Sequence, residues 1–124
     1  MLYYLWIAAG GAVGAMARYG LMNLVDGLSE SRFPLGTLVV NLIGSILIGV
    51  FFVLISERFV LSQEMRALLV VGFVGAFTTF STFSLDALLL LQYGYILQAL
   101  AYILASVVLC LLGVWAGMGL MRAL

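Results

Sequence analysis

Gly72-Phe73-Val74-Gly75-Ala76-Phe77-Thr78-Thr79-Phe80-Ser81-Thr82-Phe83-Ser84 is an uncharged stretch inside an apolar run long enough to cross a membrane. Yet it holds two glycines, three threonines, two serines and four phenylalanines, with little aliphatic packing. A segment that only faced lipid would read like Leu88-Leu89-Leu90-Leu91. Gly72 and Gly75 weaken a helix. Backbone bonds released inside a membrane must find partners in the protein or line a cavity. Thr78, Thr79, Ser81, Thr82 and Ser84 offer hydroxyls for that purpose. A break near Gly75–Thr79 frees carbonyl oxygens, which suit a hard cation better than any side chain here. The alternative is a continuous helix whose hydroxyls bond back to their own turn.

The surrounding composition places this stretch in a bilayer. Of 124 residues, 66% are hydrophobic and 8% are charged, and the mean hydropathy is +1.30. Soluble domains carry about 45–50% apolar and about 25% charged residues. Four segments reach the length of a membrane helix: Leu2 to Leu24, Gly36 to Ile55, Ala67 to Leu91 and Tyr95 to Met121. The short connections leave no room for a soluble domain, so residues 1–124 read as a single four-span unit. The N-terminus has no charged n-region and reads as a first span. Small residues at helical spacing (Gly10/Gly14, Gly11/Ala15, Ser45/Gly49, Gly113/Gly117) predict close helix approach within or between chains.

Charge excludes several functions. Without Lys or His, and with five Arg against five acids, no basic stripe exists for nucleic acid. A single Cys110 excludes an intrachain disulfide and, with His absent, a His-Cys metal site. In a four-span chain Arg58, Arg66 and Arg122 share one side, and Arg18 and Arg32 the other. Such balance removes the bias that normally fixes orientation. Insertion both ways, and hence an antiparallel homodimer, follows from this reading; a single orientation set by other features is the alternative.

Several side chains are candidates for chemistry. Phe80 and Phe83 share a helix face, either packing or presenting electropositive ring edges to a small anion. Asn41 is an amide within the second span, either an interhelical bond or part of a pathway. Tyr102, Ser106 and Cys110 recur every four residues on the fourth span and make one stripe. Arg18 and Asp86 are the charges well inside spans. They either snorkel or pair, and Arg18 is also placed to draw anions into a vestibule.

These residues resemble the small bacterial fluoride channels of the Fluc or CrcB type. Gly10-Gly11-Ala12-Val13-Gly14-Ala15-Met16-Ala17-Arg18-Tyr19 resembles the family's first-span signature. Pro34-Leu35-Gly36-Thr37-Leu38-Val39-Val40-Asn41-Leu42-Ile43-Gly44 resembles its second, and Gly72 to Ser84 its most specific motif. The resemblance implies an all-α membrane protein with four transmembrane helices and a third helix broken mid-membrane. It implies an antiparallel dual-topology homodimer in the cell inner membrane, with two pores that export fluoride passively and so lower its toxicity. It implies a structural sodium at the dimer centre, held by backbone carbonyls of Gly75 and Thr78. It assigns Asn41, Phe80, Phe83, Ser81, Thr82, Tyr102, Ser106 and Cys110 to the pore, and Arg18 and Asp86 to vestibule or structural roles. Cys110 stands where the family tends to have a hydroxyl, and Asp86 where it often has Glu.

Fluoride is hard and tightly hydrated, so it needs hydrogen-bond donors along its path. A nearby fixed cation would raise the potential for an anion. No ionisable relay and no phosphate-binding loop occur in the pore stretch, which predicts passive conduction and not pumping; a channel of this kind is expected not to be an enzyme. Two competing classes are a coupled four-span multidrug exporter and a structural membrane subunit. The exporter needs an embedded carboxylate near the start of the chain, and Leu2 to Leu24 has none.

Overall fold

The structure, a computed structural model, describes residues 1–124. It is helical throughout, with no strand. Helix α1 runs Leu2–Leu28 and α2 runs Leu35–Phe52, continued by a π-helical turn, Val53–Glu57. Helix α3 (Gln63–Arg66) passes into a π-helical stretch, Ala67–Val74, and a single turn, α4 (Gly75–Phe77). Thr78 and Thr79 are extended, after which α5 (Phe80–Gln92) and α6 (Ile96–Ala123) complete the chain.

Three helical runs are long and apolar enough to cross a membrane: Leu35–Glu57, Gln63–Gln92 and Ile96–Ala123. Helix α1, at 27 residues, spans about 40 Å at 1.5 Å per residue. Its glycines, Arg18, Asn23 and Asp26 make it less apolar than the other three. Only 21 of 124 residues are buried, too few for a water-soluble core. The exposed Leu, Val and Phe side chains need lipid or another protein surface.

Local chemistry sets the connections. Ser62 caps α3 by accepting from the Met65 N–H at 3.3 Å. Pro34, which cannot continue a preceding helix, stands before α2. The second backbone N–H of α2, on Gly36, donates to Asp26 Oδ1 at 2.8 Å, so an acid from the end of α1 satisfies an orphan donor ten residues on. Gly94, at φ +83°, makes the tight turn between α5 and α6. At the far end of the bundle Arg122 pairs with Glu57 at 2.5 Å, and Arg58 Nη2 donates to the Met121 carbonyl at 2.6 Å. Both contacts are exposed, so they tie α2 to α6 while adding little stability.

Helix α1 packs along Ala67–Val74 and α4, and α2 packs along α6. Glycine permits both crossings. A Cβ at Gly10 or Gly14 would overlap the backbone of Leu68 or Phe73, and one at Gly72 would lie 2.7 Å from the Ile7 carbonyl oxygen. A Cβ at Gly49 would overlap the Val114 carbonyl, and one at Gly117 the Ile46 carbonyl. These small-residue pairs therefore serve crossings within the chain. Gly117→Ala is expected to cost about 1–3 kcal/mol through overpacking. Gly119→Ala, where a Cβ meets nothing within 4 Å, is expected to be neutral or slightly stabilising. Thermal unfolding in detergent separates the two; equal shifts would contradict the assigned crossing.

Candidate functional site

The extended pair Thr78–Thr79 follows from competition for backbone donors. In a continuous helix the Thr79 N–H would close onto the Gly75 carbonyl. Here it donates to Asn41 Oδ1 at 2.8 Å, and Asn41 Nδ2 donates to the Thr79 carbonyl at 3.0 Å. The Thr82 N–H would close onto the Thr78 carbonyl, but donates to Thr79 Oγ1 at 3.1 Å. Thr79 is thus the N-cap of α5, with φ −149° and ψ 113°. Its hydroxyl also lies 3.0 Å from Thr82 Oγ1 and 3.3 Å from Ser81 Oγ. Both Gly75 and Thr78 carbonyls have lost their helical donors to other acceptors. Thr78 Oγ1 and Ser84 Oγ bond back to the carbonyls of Val74 and Phe80, at 3.0 and 2.9 Å.

Beside this interruption lies a cavity of about 480 Å³. Asn41, Ser45, Thr78, Thr79, Phe80, Phe83, Ser106 and Cys110 line it, with aliphatic side chains and no charged residue. Ser106 is 7% exposed and its Oγ has no hydrogen-bond partner, which leaves a donor open to an acceptor in the cavity. The N-terminus of α5 also ends here, with its unpaired N–H groups and the positive end of its dipole. The Phe80 and Phe83 rings have centroids 5.4 Å apart at 44°. Phe80 is 79% exposed, whereas Phe83 is half-buried and packs on Tyr102 at 5.2 Å.

Tyr102 occupies a different place from the lower members of its stripe. It is fully buried in the cluster with Leu38, Ala87, Leu90 and Ala99. Its hydroxyl donates to Asp86 Oδ2 at 3.1 Å, and Thr37 Oγ1 donates to the same oxygen at 2.8 Å. Phe33 meets the Tyr102 ring edge-on at 5.5 Å. Asp86 also borders a second cavity of about 520 Å³, with Arg32, Tyr93 and Tyr95, where the Arg32 guanidinium lies 4.9 Å over the Tyr95 ring. Tyr102 thus touches both Phe83, which lines the first cavity, and Asp86, which lines the second.

Of the residues singled out from sequence, Asn41, Thr78, Phe80, Phe83, Ser106 and Cys110 meet at one cavity. Ser81 is exposed, and neither it nor Thr82 or Tyr102 lines that cavity. Gly75 is exposed on α4, one turn before the extended pair. Arg18 is half-buried on α1, lines neither cavity and makes no ion pair with Asp86. Of the alternatives for Asp86, the one within the chain is a structural pairing with Thr37 and Tyr102, which hold the carboxylate. Sequence reasoning missed Thr37 and the capping role of Thr79. The available signal for the cap was only the residue type, a Thr just before a helix, since Thr82 is not the Glu or Gln of a capping box. Thr37 had none, since its partner lies 49 residues away.

Residues 5–118 match the family described as CrcB-like protein, Camphor Resistance (CrcB). A protein of Hahella chejuensis is 50% identical over 120 residues, covering 97% of this chain and 94% of its own length. One of Magnetococcus marinus is 48% identical over 113 residues, covering 91% and 92%. One of Rhizobium etli is 46% identical over 124 residues, covering 100% and 99%. Each of the three carries the name fluoride-specific ion channel FluC. The matched span takes in the extended pair, its Asn41 partner and both cavities, and by that match this helical, multi-pass membrane protein belongs to the CrcB family.

Proposed function

We propose that the chain is a fluoride-selective channel that lets fluoride leave the cytoplasm passively and so relieves its toxicity. The observation that carries this reading is the first cavity, which has donors and aromatic rings but no charge. The unpartnered Ser106 hydroxyl and the N-terminus of α5 face an uncharged space beside Asn41 and Phe83. Donors arranged this way replace the water of a small hard anion in steps. Phe ring edges add favourable contact without a competing acceptor. The name borne by the relatives supports fluoride as the anion.

The reading has four spans, with α1 as the first and Gln63–Gln92 crossing once, interrupted at Thr78–Thr79 in mid-membrane. Two copies assemble antiparallel in the inner membrane. Near-balanced Arg supports dual topology, and the exposed apolar surface supports a second copy alongside lipid. A structural sodium on the dimer axis fits the Gly75 and Thr78 carbonyls, because both are deprived of helical donors. No cluster of acidic or thiol side chains competes for a cation. When bound, sodium supplies a fixed positive charge; the chain's own part is to hold the carbonyls through the Asn41–Thr79 clamp and the Thr79 cap. Ser81, Thr82 and Tyr102 then act behind the path by holding the cap and Asp86, and Arg18 stands on α1 as the vestibule charge.

A coupled multidrug exporter is the second class, and α1 bears on it. The helix extends to Leu28 and so includes Asp26, whose carboxylate is engaged by the Gly36 N–H at the helix end. It is not a free acid within the span. Fluoride efflux from liposomes, with and without an imposed pH gradient, separates the classes. The channel reading expects equal rates under both conditions. Efflux that requires the gradient would overturn it. Reporters fused to the C-terminus are expected to signal from both sides; signal on one side alone would sink dual topology.

A further inference from the structure

Cys110 is the only cysteine in the chain, and it is free. It is half-buried on α6, outside the buried core cluster, and lines the first cavity with Asn41, Thr79 and Phe83. One turn earlier on the same helix face stands Ser106. Its Oγ is the one buried side-chain polar atom without a hydrogen-bond partner. That O–H has nothing to donate to until an acceptor enters the cavity. A thiol and an unpaired donor therefore open on one uncharged space.

We infer that Cys110 is a modification site, and that a thiol-reactive compound carrying an anionic group, attached there, closes the cavity to fluoride. The effect on flux rests on the function proposed above; the reaction at sulfur does not. With a sulfonate-bearing alkyl methanethiosulfonate, the Cys110 thiol gives its proton to water and the thiolate is the nucleophile. Sγ attacks the sulfenyl sulfur and a disulfide bond forms. The bond from that sulfur to the sulfonyl sulfur breaks, and methanesulfinate leaves with the electron pair. The thiosulfonate is the oxidant, and excess dithiothreitol reverses the step. The adduct's oxygens accept from the Ser106 hydroxyl. No cationic side chain lines the cavity to neutralise the new charge, so it repels an anion sharing that space.

The test treats liposomes containing the full chain with 2-sulfonatoethyl methanethiosulfonate. Each variant is scored against its own untreated sample, and adducts are counted by intact mass. A single adduct per chain is expected, with about a tenfold or greater loss of fluoride efflux through like-charge repulsion. Dithiothreitol is expected to restore the rate. A cationic reagent of the same size is expected to slow efflux less. Cys110→Ser is expected to take no adduct and to show the same rate treated and untreated. An adduct with undiminished efflux overturns the inference, as does equal loss in Cys110→Ser. Labelling only of denatured protein overturns it too. Absence of efflux in untreated protein defeats the proposed function instead, and adduct formation on the folded chain still decides the site.

Discussion

Asn41→Asp is expected to reduce fluoride efflux on the order of a thousandfold at neutral pH. Two effects add. The substitution replaces Nδ2, which donates to the Thr79 carbonyl at 3.0 Å, with an oxygen that cannot donate when ionised. The clamp on the extended pair then keeps the Thr79 N–H bond and loses its partner, leaving two acceptors opposed. A fixed negative charge also enters a cavity that otherwise has none. At about 4 Å and an effective dielectric of about 20, its repulsion of an anion is about 4 kcal/mol, roughly a factor of a thousand in rate. The sign with pH follows. Once protonated, the introduced carboxyl donates to the Thr79 carbonyl and carries no charge, so the variant is expected to regain efflux on acidification. Flux measured across pH, with elution volume checked for assembly, tests this. Undiminished efflux at neutral pH would remove Asn41 from the path.

Phe80→Ala and Phe83→Ala are expected to lower efflux alike and to differ in stability. An aromatic pair contributes about 0.5–1.5 kcal/mol beyond buried area; with a ring edge on an anion taken as comparable, removing either ring is expected to slow passage by about threefold to tenfold. Because the two rings touch, with centroids 5.4 Å apart, their losses are not expected to add, and the double substitution is expected to fall short of the product of the two single losses. Stability distinguishes the two rings because Phe80 is 79% exposed while Phe83 packs on Tyr102 at 5.2 Å. Truncating a core Phe costs about 3–5 kcal/mol, and the half-buried Phe83 is expected to lose part of that. Phe80→Ala is expected to unfold near the unmodified temperature. Paired flux and thermal-unfolding measurements check both; unchanged conduction in the two single variants would contradict the role of the ring edges.

Local signals and distant pairings were not equally legible in the chain. Long apolar runs and small residues at helical spacing pointed to helices that cross closely, and Gly10, Gly49 and Gly117 do sit where another backbone leaves no room for a Cβ. The stretch from Gly72 to Ser84 drew attention through its glycines, but they act differently from one another. Gly72 lets α1 approach, with the Ile7 carbonyl 2.7 Å from its would-be Cβ, whereas a Cβ at Gly75 would meet the Val70 carbonyl oxygen at 3.7 Å, an ordinary contact. What holds Thr78 and Thr79 extended is Asn41, 38 residues away in sequence. No periodicity announces such a bond, because an amide in an apolar helix fits many partners equally well. The Thr37–Asp86–Tyr102 cluster was hidden for the same reason. It also explains why Tyr102 does not line the first cavity with Ser106: its hydroxyl donates to Asp86, which borders the second cavity. The π-helical stretch Ala67–Val74 has no sequence mark that we recognise, since its residues are ordinary apolar ones.

Selective passage of fluoride is tested in one preparation. Liposomes containing the purified chain are loaded with fluoride and chloride together, and both ions are followed by selective electrodes after an ionophore relieves the counter-charge. Fluoride is expected to leave while chloride stays inside. Retained fluoride, or chloride leaving alongside it at a comparable rate, would contradict it.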